Sequence, residues 1–156
     1  MRIVIGADHG GFKLKEALVK FLKSKGHAVR DIGVFSDESC DYPAIGYEAA
    51  KLVADKAYSR GILICKTGIG MSMVANKVRG VRAALCDRPD IARSSREHND
   101  SNILVFAANI VTTGKAKKIL EAWLMAKHLG ARHARRVNQI KEIEGFEYEG
   151  IKKSRS

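Results

Sequence analysis

An apolar run of β character, Gly61-Ile62-Leu63-Ile64-Cys65, ends in a thiol and passes straight into Lys66-Thr67-Gly68-Ile69-Gly70-Met71-Ser72. A strand that turns through Thr-Gly-x-Gly into a helix start aims several backbone N–H groups into one concavity. The helix dipole adds partial positive charge at the same place. Such a hollow favours an anion, either a bound phosphate or an oxyanion that develops during a reaction. A thiol at its rim can serve as a base, because the thiolate is the reactive form and positive surroundings stabilise it. The ordinary alternative is that Cys65 is a small buried apolar residue. Cys86 is the internal comparison: it ends another apolar run with no glycine turn behind it, and the ordinary alternative suits it better.

Two more titratable groups flank strand-like runs. Asp8 and His9 stand in Ala7-Asp8-His9-Gly10-Gly11, directly after the first run, and His98-Asn99-Asp100 reads as a loop just before the last one. Either group has a plainer account, since Asp8 could cap the following helix and His98 could be no more than a polar cap. Arg132 and Arg136, four apart after Gly130, share one helical face. All three titratable clusters are expected at one sheet edge.

An edge of that kind needs a parallel sheet. Arg2–Ala7 is β-branched and ends near glycine, while Leu14, Ala17, Leu18, Phe21 and Leu22 repeat at three and four, closed by Gly26. His27–Gly33 reads as a second strand. Ile45, Ala49, Leu52 and Val53 mark a helix with Pro43 in its first turn and Asp41 as a candidate cap. Gly61–Cys65, Gly80–Cys86 and Asn102–Ala107 complete five strands. Helices are expected over about Pro89–Glu97, along the stripe Ala116, Ile119, Leu120, Trp123 and Leu124, and over about Ala134–Ile143. Strand and helix alternate throughout, which predicts a doubly wound α/β fold, a three-layer sandwich around a five-stranded parallel sheet. Ligands of such sheets bind beyond the carboxyl ends of the strands.

The 156 residues suit one domain, expected over 1–144, with a basic tail over 145–156. Glycine and charge follow the first five residues too soon for a signal peptide, and no apolar run approaches the roughly 20 residues that span a bilayer. Cys40, Cys65 and Cys86 are odd in number and widely spaced, so a reducing, cytoplasmic setting is expected, with neither disulfides nor a metal site. The net charge of +11 raises the question of nucleic acid. Much of the excess lies in one stretch, since Lys127, Arg132, Arg135, Arg136 and Lys141 fall within fifteen residues that hold no acid. Clustered arginines suit a small phosphorylated molecule equally well.

Four stretches taken together resemble one family. They are Asp8-His9-Gly10-Gly11-Phe12-x-Leu14-Lys15; Ile64-Cys65-x-Thr67-Gly68-x-Gly70-x-Ser72-x-x-Ala75-Asn76-Lys77; His98-Asn99-Asp100-x-Asn102; and Gly130-x-Arg132-His133-x-x-Arg136-Val137. In this order they are similar to the type B ribose-5-phosphate isomerases, a family that also includes galactose-6-phosphate isomerase subunits. The resemblance implies an aldose–ketose isomerase that needs no metal or organic cofactor and works as a homodimer or tetramer with shared sites. It implies that Cys65 moves a proton between C2 and C1 of ribose 5-phosphate. Thr67 and the amides of Lys66, Gly68, Ile69 and Gly70 would hold the enediolate. His98, with Asp8 nearby, would open the sugar ring. His9, Arg132 and Arg136 would bind phosphate, the arginines reaching from the neighbouring subunit, and Asn99 would bind a hydroxyl.

Two positions depart from the family pattern. Lys66 stands where glycine is usual, and Asn109 where many members have a phosphate-binding arginine. A six-carbon sugar phosphate therefore stays open as a substrate. Nucleotide binding fits less well: Gly68-x-Gly70 is followed by Met73 at the third glycine's place, and Gly114-Lys115 lacks the upstream glycine of a phosphate loop. A nucleic-acid module would be expected to interleave aromatic residues, and Lys127–Lys141 has none.

Overall fold

The computed structural model describes residues 1–149. Five strands, β1 (Arg2–Ala7), β2 (Ala28–Asp31), β3 (Arg60–Cys65), β4 (Ala83–Leu85) and β5 (Ile103–Ala107), form one sheet in the order β2-β1-β3-β5-β4. Every pair is parallel. The helices are α1 (Phe12–Ser24), α2 (Tyr42–Ala54), α3 (Ile69–Ala75), α4 (Pro89–Asn99), α5 (Thr113–Met125) and α6 (Ala131–Glu149).

The strand order decides which helix covers which face. Parallel crossovers are right-handed, so a connection moving one way across the sheet puts its helix on one face and a return puts it on the other. The connections through α1 and α4 move one way, and those through α2 and α3 move the other. The core divides accordingly. Leu14, Leu18 and Leu22 of α1, Ala92 of α4, and Ile119, Leu120 and Trp123 of α5 pack on one side with Ile3, Ile5, Ile62, Ile64, Leu104 and Phe106. Ala49, Ala50 and Val53 of α2, with Met71 and Ala75 of α3, pack on the other with Val4, Leu63, Cys65, Ile103 and Val105. Alternate residues of each central strand thus serve opposite layers, as the strand period of two requires. Cys65 belongs to the α2–α3 layer.

Most expected elements are present, with shifted ends. β4 is three residues long and not seven because its approach is held by side chains: Arg82 N–H donates to Asn102 Oδ1 at 2.8 Å and Ala83 N–H to Asn76 Oδ1 at 2.9 Å. Asp41 occupies the cap position of α2, yet its side chain accepts no helix N–H. α4 runs past Glu97 to Asn99 and closes on Asp100, whose φ of 49° is left-handed. His98 and Asn99 are therefore the last turn of a helix and not a loop. α6 begins at Ala131, earlier than expected, and its backbone continues through 145–149; the rest of the expected tail lies outside the described residues. Among the described residues no helix is long and apolar enough to cross a membrane.

Candidate active site

The carboxyl ends of β1, β3 and β5 lie side by side, with Ala7 opposite Ile64 and Cys65 opposite Ala107. Pairing persists beyond the strands: the carbonyls of Cys65 and Lys66 accept from the N–H groups of Ala108 and Asn109 at 2.9 and 3.0 Å. Asn109, itself exposed, is thereby fixed beside the thiol's loop.

Cys65 is 5% exposed, and its Sγ accepts the Gly68 N–H at 3.1 Å. This contact needs the chain to double back within three residues, which Gly68 allows with a φ of 73°. An added Cβ there would also stand 3.2 Å from the Phe106 carbonyl oxygen, tighter than an ordinary contact. Thr67 is exposed, its Oγ1 accepting the Ile69 N–H at 3.4 Å. α3 then starts beneath the sulfur, and Gly70 abuts the Tyr42 ring.

The β1 turn meets this loop. Asp8 is 6% exposed, and its Oδ1 accepts the Gly11 N–H at 3.0 Å. The Lys66 side chain lies across Gly10, where an added Cβ would come within 2.3 Å of its Cγ. His9 Nδ1 accepts the Cys40 N–H at 3.3 Å. Asp8, His9, Cys65, Lys66, Thr67, Gly68, Ile69, Gly70 and Asn109 thus share the carboxyl edge. Cys40 and Tyr42 join them without having been singled out from the sequence. Their approach runs through the irregular segment after β2, where no periodicity shows a contact.

The third cluster is elsewhere, which corrects the expectation of a single edge. α4 runs back along the sheet, so its last turn sits where β5 begins, at the amino edge. There Arg82 Nε donates to the carbonyls of Asn99 and Asp100, both at 3.0 Å. From Ile103 to Ala107 the strand spans about 13 Å at about 3.3 Å per residue, so His98 and Cys65 of one chain stand at opposite edges of the sheet. His98 stacks on His133, with ring centroids 4.3 Å apart and planes 6° from parallel. Arg132 Nε donates to His133 Nε2 at 3.4 Å. His133 is 7% exposed, and its Nδ1 finds no partner among the described residues. Burial holds its pKa below the ordinary histidine value, and the charges of His98, Arg132, Arg136 and His128 push the same way. So much positive character around one ring makes this corner attractive to an anion.

The two cysteines outside the loop differ. Cys86 is 2% exposed, and burial pushes its thiol up to about 11, which makes it a poor base near neutral pH. Cys40 is half-buried on the loop that reaches His9.

A parallel α/β sheet with a buried thiol held by a glycine turn at its carboxyl edge places the chain among the small α/β enzymes whose ligands sit at strand ends. More narrowly, the chain belongs to the ribose/galactose isomerase family, whose model matches residues 3–140. It is 45% identical to ribose-5-phosphate isomerase B of Escherichia coli over 143 residues, 92% of this chain and 96% of that one. The ribose-5-phosphate isomerase B structure of Clostridium thermocellum superposes with a TM-score of 0.92 at 48% identity, covering 93% of this chain and 98% of that one. The Mycoplasma genitalium enzyme, with bound ribulose 5-phosphate, matches with a TM-score of 0.89 at 38% identity over 92% of this chain and 96% of that one.

Proposed function

We propose that the protein interconverts ribose 5-phosphate and ribulose 5-phosphate, with Cys65 as the proton carrier. The observation that carries this reading is the Cys65 sulfur held 3.1 Å from the Gly68 N–H at the head of α3. The thiolate takes the C2 proton of the open-chain aldose. The freed electron pair forms the C1–C2 double bond as the C1 carbonyl becomes an enediolate oxygen, and the same proton then returns to C1. A proton passes from the C2 hydroxyl toward O1, so the sugar gains and loses nothing overall. The amides of Lys66 to Gly70 and the Thr67 hydroxyl face the developing charge, where preorganised donors contribute most. Asp8 and His98 assist ring opening, His9, Arg132 and Arg136 hold phosphate, and Asn99 takes a hydroxyl.

This chemistry requires a second copy of the chain. Cys65 and His98 lie at opposite ends of the strands, so a complete site pairs the carboxyl edge of one protomer with the His98–Arg132–Arg136 corner of another. Apolar side chains left exposed near the carboxyl edge support that pairing: Ile69, Leu85 and Ile110 are 51%, 40% and 62% exposed. The three free thiols suit a reducing cytosol, where we place the protein.

Formation of ketose phosphate from ribose, allose and galactose phosphates tests the substrate, with ribose 5-phosphate expected fastest; no turnover of any aldose phosphate would overturn the reading. Subunit sharing is tested by mixing inactive Cys65→Ala and Arg136→Ala chains. Mixed dimers hold one intact site, so activity should recover to about a quarter of wild type under random pairing. Confirmed mixing without recovery would show that each site is built within one chain.

A further inference from the structure

A cavity of about 660 Å³ opens at the amino edge, beneath the start of β3. Its walls come from four separate pieces of chain. Lys56 and Arg60 flank the α2–β3 connection, Arg79 lies between α3 and β4, Arg82 leads into β4, and Lys141 projects from α6. Five cations therefore face two carboxylates, those of Asp100 and Glu144. Both carboxylates are already engaged. Asp100 accepts from Arg96 Nη1 at 2.7 Å and Arg82 Nη2 at 2.9 Å, and Glu144 Oε2 accepts the Gly80 N–H at 3.1 Å.

Arg60 shows the imbalance most clearly. Its guanidinium donates to the Ser59 carbonyl at 2.7 Å and lies 5.8 Å from the Trp123 ring centroid, and no described carboxylate pairs with it. Burial holds its pKa below the usual arginine value, and the neighbouring charge of Arg96 adds to that effect while Asp100 opposes it. A partly buried cation facing other cations is stabilised by any anion that comes between them, and arginine with lysine is the usual combination for phosphate. The cavity is also too large for one phosphate, and its cations come from separate pieces of chain.

We propose that this cleft binds a small anion carrying two or more phosphate groups, at a site separate from that of the sugar phosphate. Lys56, Arg60, Arg79 and Lys141 supply the charge, and Arg82, already held by Asp100, lines the cleft beside them. The cleft lies at the far end of the strands from Cys65. On α6 it begins at Lys141, five residues or about 7.5 Å beyond Arg136, and it borders the Arg132–Arg136 corner without including either arginine. The inference rests on the cleft's own charge and shape and does not depend on the isomerase reading. A concave pocket roofed by α6 suits a compact molecule better than the extended backbone of a nucleic acid.

Inorganic pyrophosphate, titrated calorimetrically into the full chain, is the probe. Binding should persist in the Arg132→Ala/Arg136→Ala variant and weaken by roughly tenfold or more, about 1.4 kcal/mol or more, in Arg79→Glu/Lys141→Glu. Both reversed positions are exposed, so the fold should survive, as thermal melting will show. Arg79→Ala alone carries the same test with a smaller loss. Three results would overturn the proposal: no binding to wild type; loss in the Arg132/Arg136 variant with none in the Arg79/Lys141 variant; or displacement of pyrophosphate by a short single-stranded oligonucleotide at lower phosphate concentration, which would make the cleft a polynucleotide surface.

Discussion

Gly11 offers a direct test of how the two halves of the carboxyl edge are held together. A Cβ built on it would stand 2.7 Å from the Ile64 carbonyl oxygen and 2.9 Å from the carbonyl carbon. These are backbone atoms of a central strand, and no rotamer change can clear them. In Gly11→Ala the start of α1 must therefore move away from β3. Displaced packing of this kind costs about 1–3 kcal/mol. The same movement stretches the 3.0 Å bond from Gly11 N–H to the buried Asp8 carboxylate, at about 1 kcal/mol more. The expected loss is then about 2–4 kcal/mol. Trp123, the single tryptophan, is fully buried and reports unfolding through its fluorescence. With an m value of about 2 kcal/mol/M the urea midpoint should fall by about 1–2 M, at matched protein concentration. Gly114→Ala is the control: it lies in the first turn of α5, a Cβ there meets nothing within 4 Å, and alanine should raise stability by up to about 1 kcal/mol. A Gly11→Ala protein within about 0.5 kcal/mol of wild type would refute the close approach of α1 to Ile64.

Three more outcomes follow from the geometry. Cys65→Ala should abolish isomerisation with little change in substrate affinity, because a base acts in the transition state, whereas Cys86→Ala should stay active; near-normal turnover in Cys65→Ala would remove the thiol from the mechanism. His98→Ala should slow turnover of cyclic substrate far more than C2 proton exchange in the open-chain form, and equal losses would leave it without a ring-opening role. For Asp100, burial alone would raise the pKa, but Arg96 and Arg82 outweigh it and hold the carboxyl below its usual value. Its contribution is therefore complete above about pH 4 and is lost as pH falls through the lowered folded value. Asp100→Asn should be less stable than wild type at pH 7 in urea unfolding, with the gap closing toward pH 3; a gap independent of pH would show that the Arg96 pair contributes nothing.

The layered sheet was legible in the sequence because its causes are local. Ile3-Val4-Ile5 and Ile62-Leu63-Ile64 are apolar on both faces, as strands covered by helices on each side must be. The glycine turn after Cys65 was legible for the same reason, since one residue type permits the backbone it adopts. The short β4 was not, because Asn76 and Asn102 replace ladder bonds with side-chain amides from distant positions. The end of α4 was missed because an aspartate, Asp100, adopts the left-handed conformation usually marked by glycine. The place of His98 was misread, although the clue was present: residues that lead into a parallel strand lie at its amino end, opposite those that follow one.

That separation of Cys65 from His98 has a consequence for how rate depends on concentration. On the shared-site proposal, a chain diluted away from its partner loses its catalytic complement. Mass action then governs activity as well as assembly. Well above the dissociation constant of the pair, rate rises in proportion to protein. Well below it, rate falls with the square of protein concentration, because every productive site needs two chains to meet. Substrate bridging the two halves would shift that boundary toward lower concentration, so a dilute sample would regain activity as sugar phosphate is added.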